Sequence, residues 1–143
     1  MKADRPEWAP GDALPPLELP PVTRLDLIKY AGASGDYNPI HTIDEEAHRA
    51  GLPGVIQHGM LTMAQMGRLF SPYFDRSWVT RFQTRFRGML FVGERLRVIA
   101  EVSALDTSVE GDRYTFDLTA TTAEGRTIAT GSLELLWYAG ADP

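Results

Sequence analysis

The heptapeptide Gly35-Asp36-Tyr37-Asn38-Pro39-Ile40-His41 places an acid and an imidazole five residues apart in one short stretch. A carboxylate accepts a proton or a hydrogen bond, and an imidazole of ordinary pKa about 6.5 relays a proton at neutral pH. Together they can orient and polarise a water molecule. Helical spacing cannot bring positions 36 and 41 side by side, because helix neighbours lie three or four residues apart. A folded loop can. The same residue types also fit a plainer reading, in which Asp36 caps the turn and His41 is an ordinary satisfied histidine. Asn38 and Pro39 read as structural, the first bracing the turn and the second fixing φ.

His58-Gly59 offers a second ingredient. It opens the apolar run GMLTMAQMGRLF, and a backbone N–H at a buried helix start can stabilise negative charge developing on a carbonyl oxygen. Alternatively, Gly59 only permits a tight entry into the helix. His58 reads either as a ligand or base, or as a residue that packs or hydrogen-bonds structurally. Asp36, His41 and His58 would make a metal set of two imidazoles and a carboxylate, but their spacing follows no metal motif, so no metal is expected. There is no G-x-S-x-G for a serine hydrolase, and Gly32–Gly35 does not meet a phosphate-loop pattern. Met60, Met63 and Met66 read as core.

Elements must carry these groups into place. The chain has 143 residues, 43% of them hydrophobic, which suits one domain with one core. The absence of cysteine excludes disulfides, a thiolate nucleophile and cysteine-based metal sites. A net charge of −5 argues against nucleic acid as a partner. No apolar run suggests a signal peptide or a membrane span, so a soluble cytoplasmic protein is expected. Between Arg76 and Arg97 lie six arginines with Glu94 as the single acid, which reads as a solvated strand face or as a contact for a small polyanion.

The first 22 residues hold six prolines and read as an irregular arm, with a short edge strand around Leu17–Leu19. Thr23 and Asp26 have N-cap spacing for a short helix that stops near Gly32. Thr42 and Glu45 have capping-box spacing for a second helix that ends at Gly51. The run 59–70 predicts a helix buried almost all round, with Gly59 and Gly67 allowing close approach of other backbone. Alternation then predicts four long strands within 78–86, 96–104, 114–121 and 127–138, the last less clean and open to a bulge. Glycine turns near Gly93, Gly111 and Gly125 separate them, so the strands are mostly antiparallel. One sheet with one apolar face needs a cover, and helix 59–70 is the natural one.

The stretch YAGASGDYNPIHTIDEEAHRAGLPGVIQHGMLTM, residues 30–63, closely resembles the MaoC-like hot-dog family of (R)-specific enoyl-CoA hydratases and mycobacterial 3-hydroxyacyl-thioester dehydratase subunits. VTRFQTRFRGMLFVGERL, residues 79–96, resembles the strand and turn that follow the family's central helix. The resemblance covers essentially the whole chain. It implies an α+β hot-dog fold over residues 1–143, a curved antiparallel sheet wrapped around a long central helix. It implies reversible hydration of 2-enoyl thioesters to (R)-3-hydroxyacyl thioesters, on coenzyme A or acyl carrier protein. Asp36 and His41 match the catalytic pair, and Gly59 matches the residue whose N–H binds the thioester carbonyl. Tyr30, Ser34, Asn38 and His58 match positions that shape the loop and pocket. Arg85 and Arg87 are candidates for coenzyme A phosphate contacts. Homodimers joined edge to edge are implied, with a heterodimer as the variant, and neither metal nor redox cofactor is called for. Gln57 stands where relatives often carry a small residue and is expected at the pocket mouth. Tyr37, Phe82, Phe86 and Met89 are bulky enough to restrict an acyl tunnel. Rival readings are an acyl-thioester hydrolase and a non-catalytic thioester-binding subunit.

Overall fold

The computed structural model describes residues 6–139, so the first five residues of the proline-rich arm lie outside it. The element order is β1 (Leu17–Glu18), α1 (Arg24–Ser34), a 3-10 turn (Pro39–His41), α2 (Asp44–Arg49), α3 (Gly59–Gly67) and a second 3-10 segment (Arg68–Tyr73). Strands β2 (Ser77–Phe86), β3 (Leu96–Thr107), β4 (Gly111–Thr122) and β5 (Thr127–Tyr138) follow. All pairings are antiparallel, in the order β1-β3-β4-β5-β2. The hot-dog arrangement expected from the sequence is therefore present, with α3 as the central helix. No helix among the described residues is long and apolar enough to cross a membrane.

Helix α1 starts as its sequence predicts. Thr23 Oγ1 accepts from the Asp26 N–H at 3.1 Å, and Asp26 Oδ2 accepts from the Thr23 N–H at 2.9 Å. This reciprocal box satisfies two donors that a helix start leaves orphaned. The helix passes Gly32 and stops at Gly35, whose φ of 75° supplies the left-handed turn. The later stop matters, because it brings the helix end directly against Asp36. Helix α2 lacks the expected Thr42 cap. The Thr42 N–H instead bonds to the Pro39 carbonyl at 3.1 Å, closing the 3-10 turn, and Ile43 opens α2 without a side-chain bond.

The arm is an edge cover for β3. N–H groups of Gly11, Leu14 and Leu19 bond to the Val102, Ala100 and Leu96 carbonyls at 2.8–2.9 Å, and Leu14 and Leu19 are buried. The prolines occupy the intervening positions, where no donor to the ladder is needed. Trp8 stands edge-on to Tyr73, Tyr114 and Phe116 at 4.9–5.5 Å between ring centroids.

Three strands depart from strict alternation. In β2 the pairing with β5 skips Thr80, so Val79 and Phe82 face inward and Trp78 is 63% exposed. In β3 the extra residue is Ser103, beyond which Ala104 turns outward. In β5 the shift falls at Ile128. Each bulge places two residues opposite one and reverses the faces beyond it.

The core lies where α3 and the second 3-10 segment meet the sheet, with Met66, Phe70, Phe116, Leu118 and Leu133 all buried. Phe70 meets Phe116 edge-on at 5.0 Å. The α-helical part ends at Gly67, short of Phe70, and is not buried all round: Met60 is 57% exposed. The two glycines admit side chains of β2 and not backbone. A Cβ at Gly59 would lie 3.3 Å from the Phe86 ring, and one at Gly67 would lie 3.4 Å from Phe82.

Candidate active site

The side chains of Ser34, Asp36 and Asn38 each pin backbone. Ser34 Oγ donates to the Tyr30 carbonyl at 2.7 Å and accepts from the Asp36 N–H at 3.1 Å. Asp36 Oδ1 accepts from the Asn38 N–H at 3.2 Å, and Asn38 Oδ1 accepts from the Ile40 N–H at 3.2 Å. These overlapping local turns fold the loop back on itself, as the plainer reading of Asp36 and Asn38 expects. Asp36 uses one oxygen in the turn and turns the other, Oδ2, toward His41 Nε2 at 3.8 Å.

His41 is oriented by its other nitrogen. Nδ1 lies 2.8 Å from the Ile56 carbonyl, which can only accept, so Nδ1 carries the proton in the neutral ring. Nε2 then presents a lone pair. The separation of 3.8 Å is too long for a direct hydrogen bond. Two acceptors thus face one gap, His41 buried and the Asp36 side chain half exposed.

His58 completes the cluster. It is 1% exposed, stacks on His41 with ring centroids 3.8 Å apart and planes inclined by 22°, and meets the Tyr30 ring edge-on at 4.8 Å. Its Nε2–H donates to the Asp36 carbonyl at 3.2 Å, leaving Nδ1 buried without a partner. Burial, followed by the neighbouring His41, holds its pKa below the ordinary histidine value, against the smaller opposite pull of Asp36. The metal-ligating atoms of Asp36, His41 and His58 lie within 4.8 Å of one another. Nearly parallel rings at stacking distance do not aim their in-plane lone pairs at one point about 2.0–2.1 Å from both nitrogens, as zinc would require.

Gly59 is the first residue of α3, directly after His58, and its N–H belongs to the turn that has no intrahelical acceptor. Phe86 lies against it, which gives a direction to one of the bulky residues named from the sequence. Tyr37 is 70% exposed and does not fill the core. Gln57 is buried and not at an open mouth: its Nε2 donates to Thr62 Oγ1 and Gln65 Oε1, both at 2.9 Å, tying the approach to α3. Arg85 and Arg87 flank Phe86 on β2 and turn to the other side of the sheet. There they line an open hollow with Asp117, Thr119, Thr130 and Ser132. Within the chain they are not brought to Asp36. His58 packs and hydrogen-bonds as one reading of the sequence expects, but its partners, the Asp36 carbonyl and the His41 ring, are joined to it only by the fold.

Residues 10–124 match the family model described as a MaoC like domain. A fatty acid synthase beta subunit of Emericella nidulans is 36% identical over 96 residues, covering 65% of this chain and 5% of that protein. The mitochondrial 3-hydroxyacyl-[acyl-carrier-protein] dehydratase of Arabidopsis thaliana is 30% identical over 80 residues, 56% of this chain and 48% of that one. The chain thus spans less than half the length of these relatives. An (R)-hydratase from A. caviae involved in PHA biosynthesis superposes with a TM-score of 0.76 at 23% identity, over 92% of this chain and 98% of that one. That likeness is one of fold. With the family model matching most of its length, this chain belongs to the MaoC-like domain family.

Proposed function

We propose that the protein catalyses the reversible addition of water to 2-enoyl thioesters, giving (R)-3-hydroxyacyl thioesters, with Asp36 and His41 holding the water. The observation that carries this reading is the pair of acceptors facing each other across 3.8 Å. Neither can donate to the other, whereas one water can donate a proton to each. The water oxygen is left free to attack C3.

The Gly59 N–H, aided by the positive end of α3, polarises the thioester carbonyl and stabilises the enolate that forms as the C3–O bond is made. The pair takes a proton from the water, and C2 receives one, so the sum is addition of one H₂O. Dehydration is the reverse. The family supports hydration and dehydration as the chemistry, with the acyl group carried on coenzyme A or acyl carrier protein. In this reading no metal takes part, and the stacked imidazoles serve through hydrogen bonds and packing. A second copy of the chain is the partner that the open edge of β2 suits.

The test follows enoyl-thioester absorbance when the purified chain meets crotonyl-CoA. Loss of absorbance without thiol release is expected, with Asp36→Asn slower by at least ~100-fold. Thiol release would indicate the hydrolase. No turnover of short or long enoyl chains on either carrier would overturn the reading in favour of a non-catalytic binder.

A further inference from the structure

His58 touches both members of the pair. Its Nε2–H reaches the Asp36 carbonyl at 3.2 Å, and its ring lies on His41 at 3.8 Å between centroids. Packing alone does not account for a histidine here. Its Nδ1 is buried and has no partner, a cost that a phenyl ring of similar shape would avoid. The bond to Asp36 requires the proton on Nε2, so the ring that makes it is neutral or doubly protonated. Double protonation is opposed by burial and by the imidazole stacked on it. Among the described residues, the titratable side chains that face His58 are Tyr30 of α1, Asp36 of the loop and His41 of the 3-10 turn.

We propose that His58 is the positioning residue of the pair: one edge of its ring anchors the Asp36 backbone and one face backs His41, which together set the width of the gap where the water sits. It moves no proton itself. At neutral pH its ring stays neutral. This inference rests on the reading of Asp36 and His41 as the water-holding pair.

The test compares the full chain with His58→Phe, which keeps the stacking face but loses the donor, and His58→Gln, which restores an N–H near the Nε2 position. Hydration kinetics are measured across about pH 5.5–8.5, alongside thermal unfolding and amide and imidazole nitrogen NMR. In His58→Phe, kcat is expected to fall about 10–100-fold with KM within about threefold, while Tm stays level or rises. His58→Gln, which restores the donor but not the stacking face, recovers part of kcat. Both limbs of the pH profile keep their positions in each variant. Wild-type kcat in His58→Phe, a missing limb, or a kcat loss that tracks a fall in Tm in both variants would each overturn the proposal. The NMR arm is independent of turnover. The wild type must carry its His58 proton on Nε2, and the Tyr37 amide, which shares its peptide with the Asp36 carbonyl, must shift in His58→Phe and return in His58→Gln. Failure of these shifts in an active enzyme overturns the positioning role alone. An inactive wild type that shows them overturns the hydratase reading and leaves the His58 geometry standing.

Discussion

The Gly59 N–H can be removed by a single substitution. Proline is tolerated at the first position of a helix, where the missing N–H has no intrahelical partner. The residue before it must be extended, and His58 already has φ −57° and ψ 133°. Gly59→Pro therefore removes the one donor in question and leaves the helix start intact. We expect Tm within about 5 °C of the wild type and kcat/KM lower by about 10²–10³. Gly59→Ala is the control. It keeps the N–H and brings a methyl 3.3 Å from the ring of Phe86, which is half exposed and free to give way. Equal losses in the two variants would remove the backbone donor from the mechanism and leave crowding as the cause.

At the scale of elements, β2 pairs with β5 along one side, and no strand among the described residues pairs with its other side. Trp78 and Phe86 on this strand and Met60 on α3 stand 47–63% exposed. An open strand edge beside exposed apolar side chains invites pairing. Light scattering on the purified chain is expected to return the mass of two chains at micromolar concentration. A single-chain mass would exclude self-pairing as the way this edge is covered. The edge strand also shows where alternation misleads. Trp78, Thr80, Phe82, Thr84 and Phe86 read as one face of an unbroken strand, but the bulge at Thr80 puts Trp78 outside and Phe82 inside. Nothing in the residue types marks Thr80 as the extra residue, because the bulge is set by pairing with Leu135 and Glu134 across the sheet.

For the molecule as a whole, the neutral His58 makes stability depend on pH. In the unfolded chain this imidazole takes up a proton around pH 6.5, whereas burial and His41 lower its pKa in the fold. Above about pH 6.5 neither state binds the proton, and the group leaves stability unchanged. As pH falls through that value the unfolded chain gains a proton that the folded chain refuses, so stability declines until the lower folded pKa is reached. Asp26, held below its ordinary range by its bonds to Thr23, acts in the same direction, losing stability as pH falls, but only in the carboxylate range, at lower pH. Calorimetry between about pH 7.5 and 5.5 should show Tm falling less in His58→Phe than in the wild type. Equal slopes would mean that His58 is protonated in the fold.

What the sequence determined by itself is local. The Thr23–Asp26 box and the turns through Ser34, Asp36 and Asn38 join groups two to four residues apart, so residue type and spacing suffice to predict them. The alternation of four strands and the glycine turns between them follow for the same reason, and the GDYNPIH–HGM resemblance rests on such local pattern. Tertiary structure decided the rest. It set Asp36 and His41 3.8 Å apart and laid His58 across both. It turned Gln57 into the interior and pointed Arg85 and Arg87 away from the loop. These outcomes depend on strand register and on the packing of α3 against the sheet. Such contacts join residues tens of positions apart, and their energies arise only once both partners have left water.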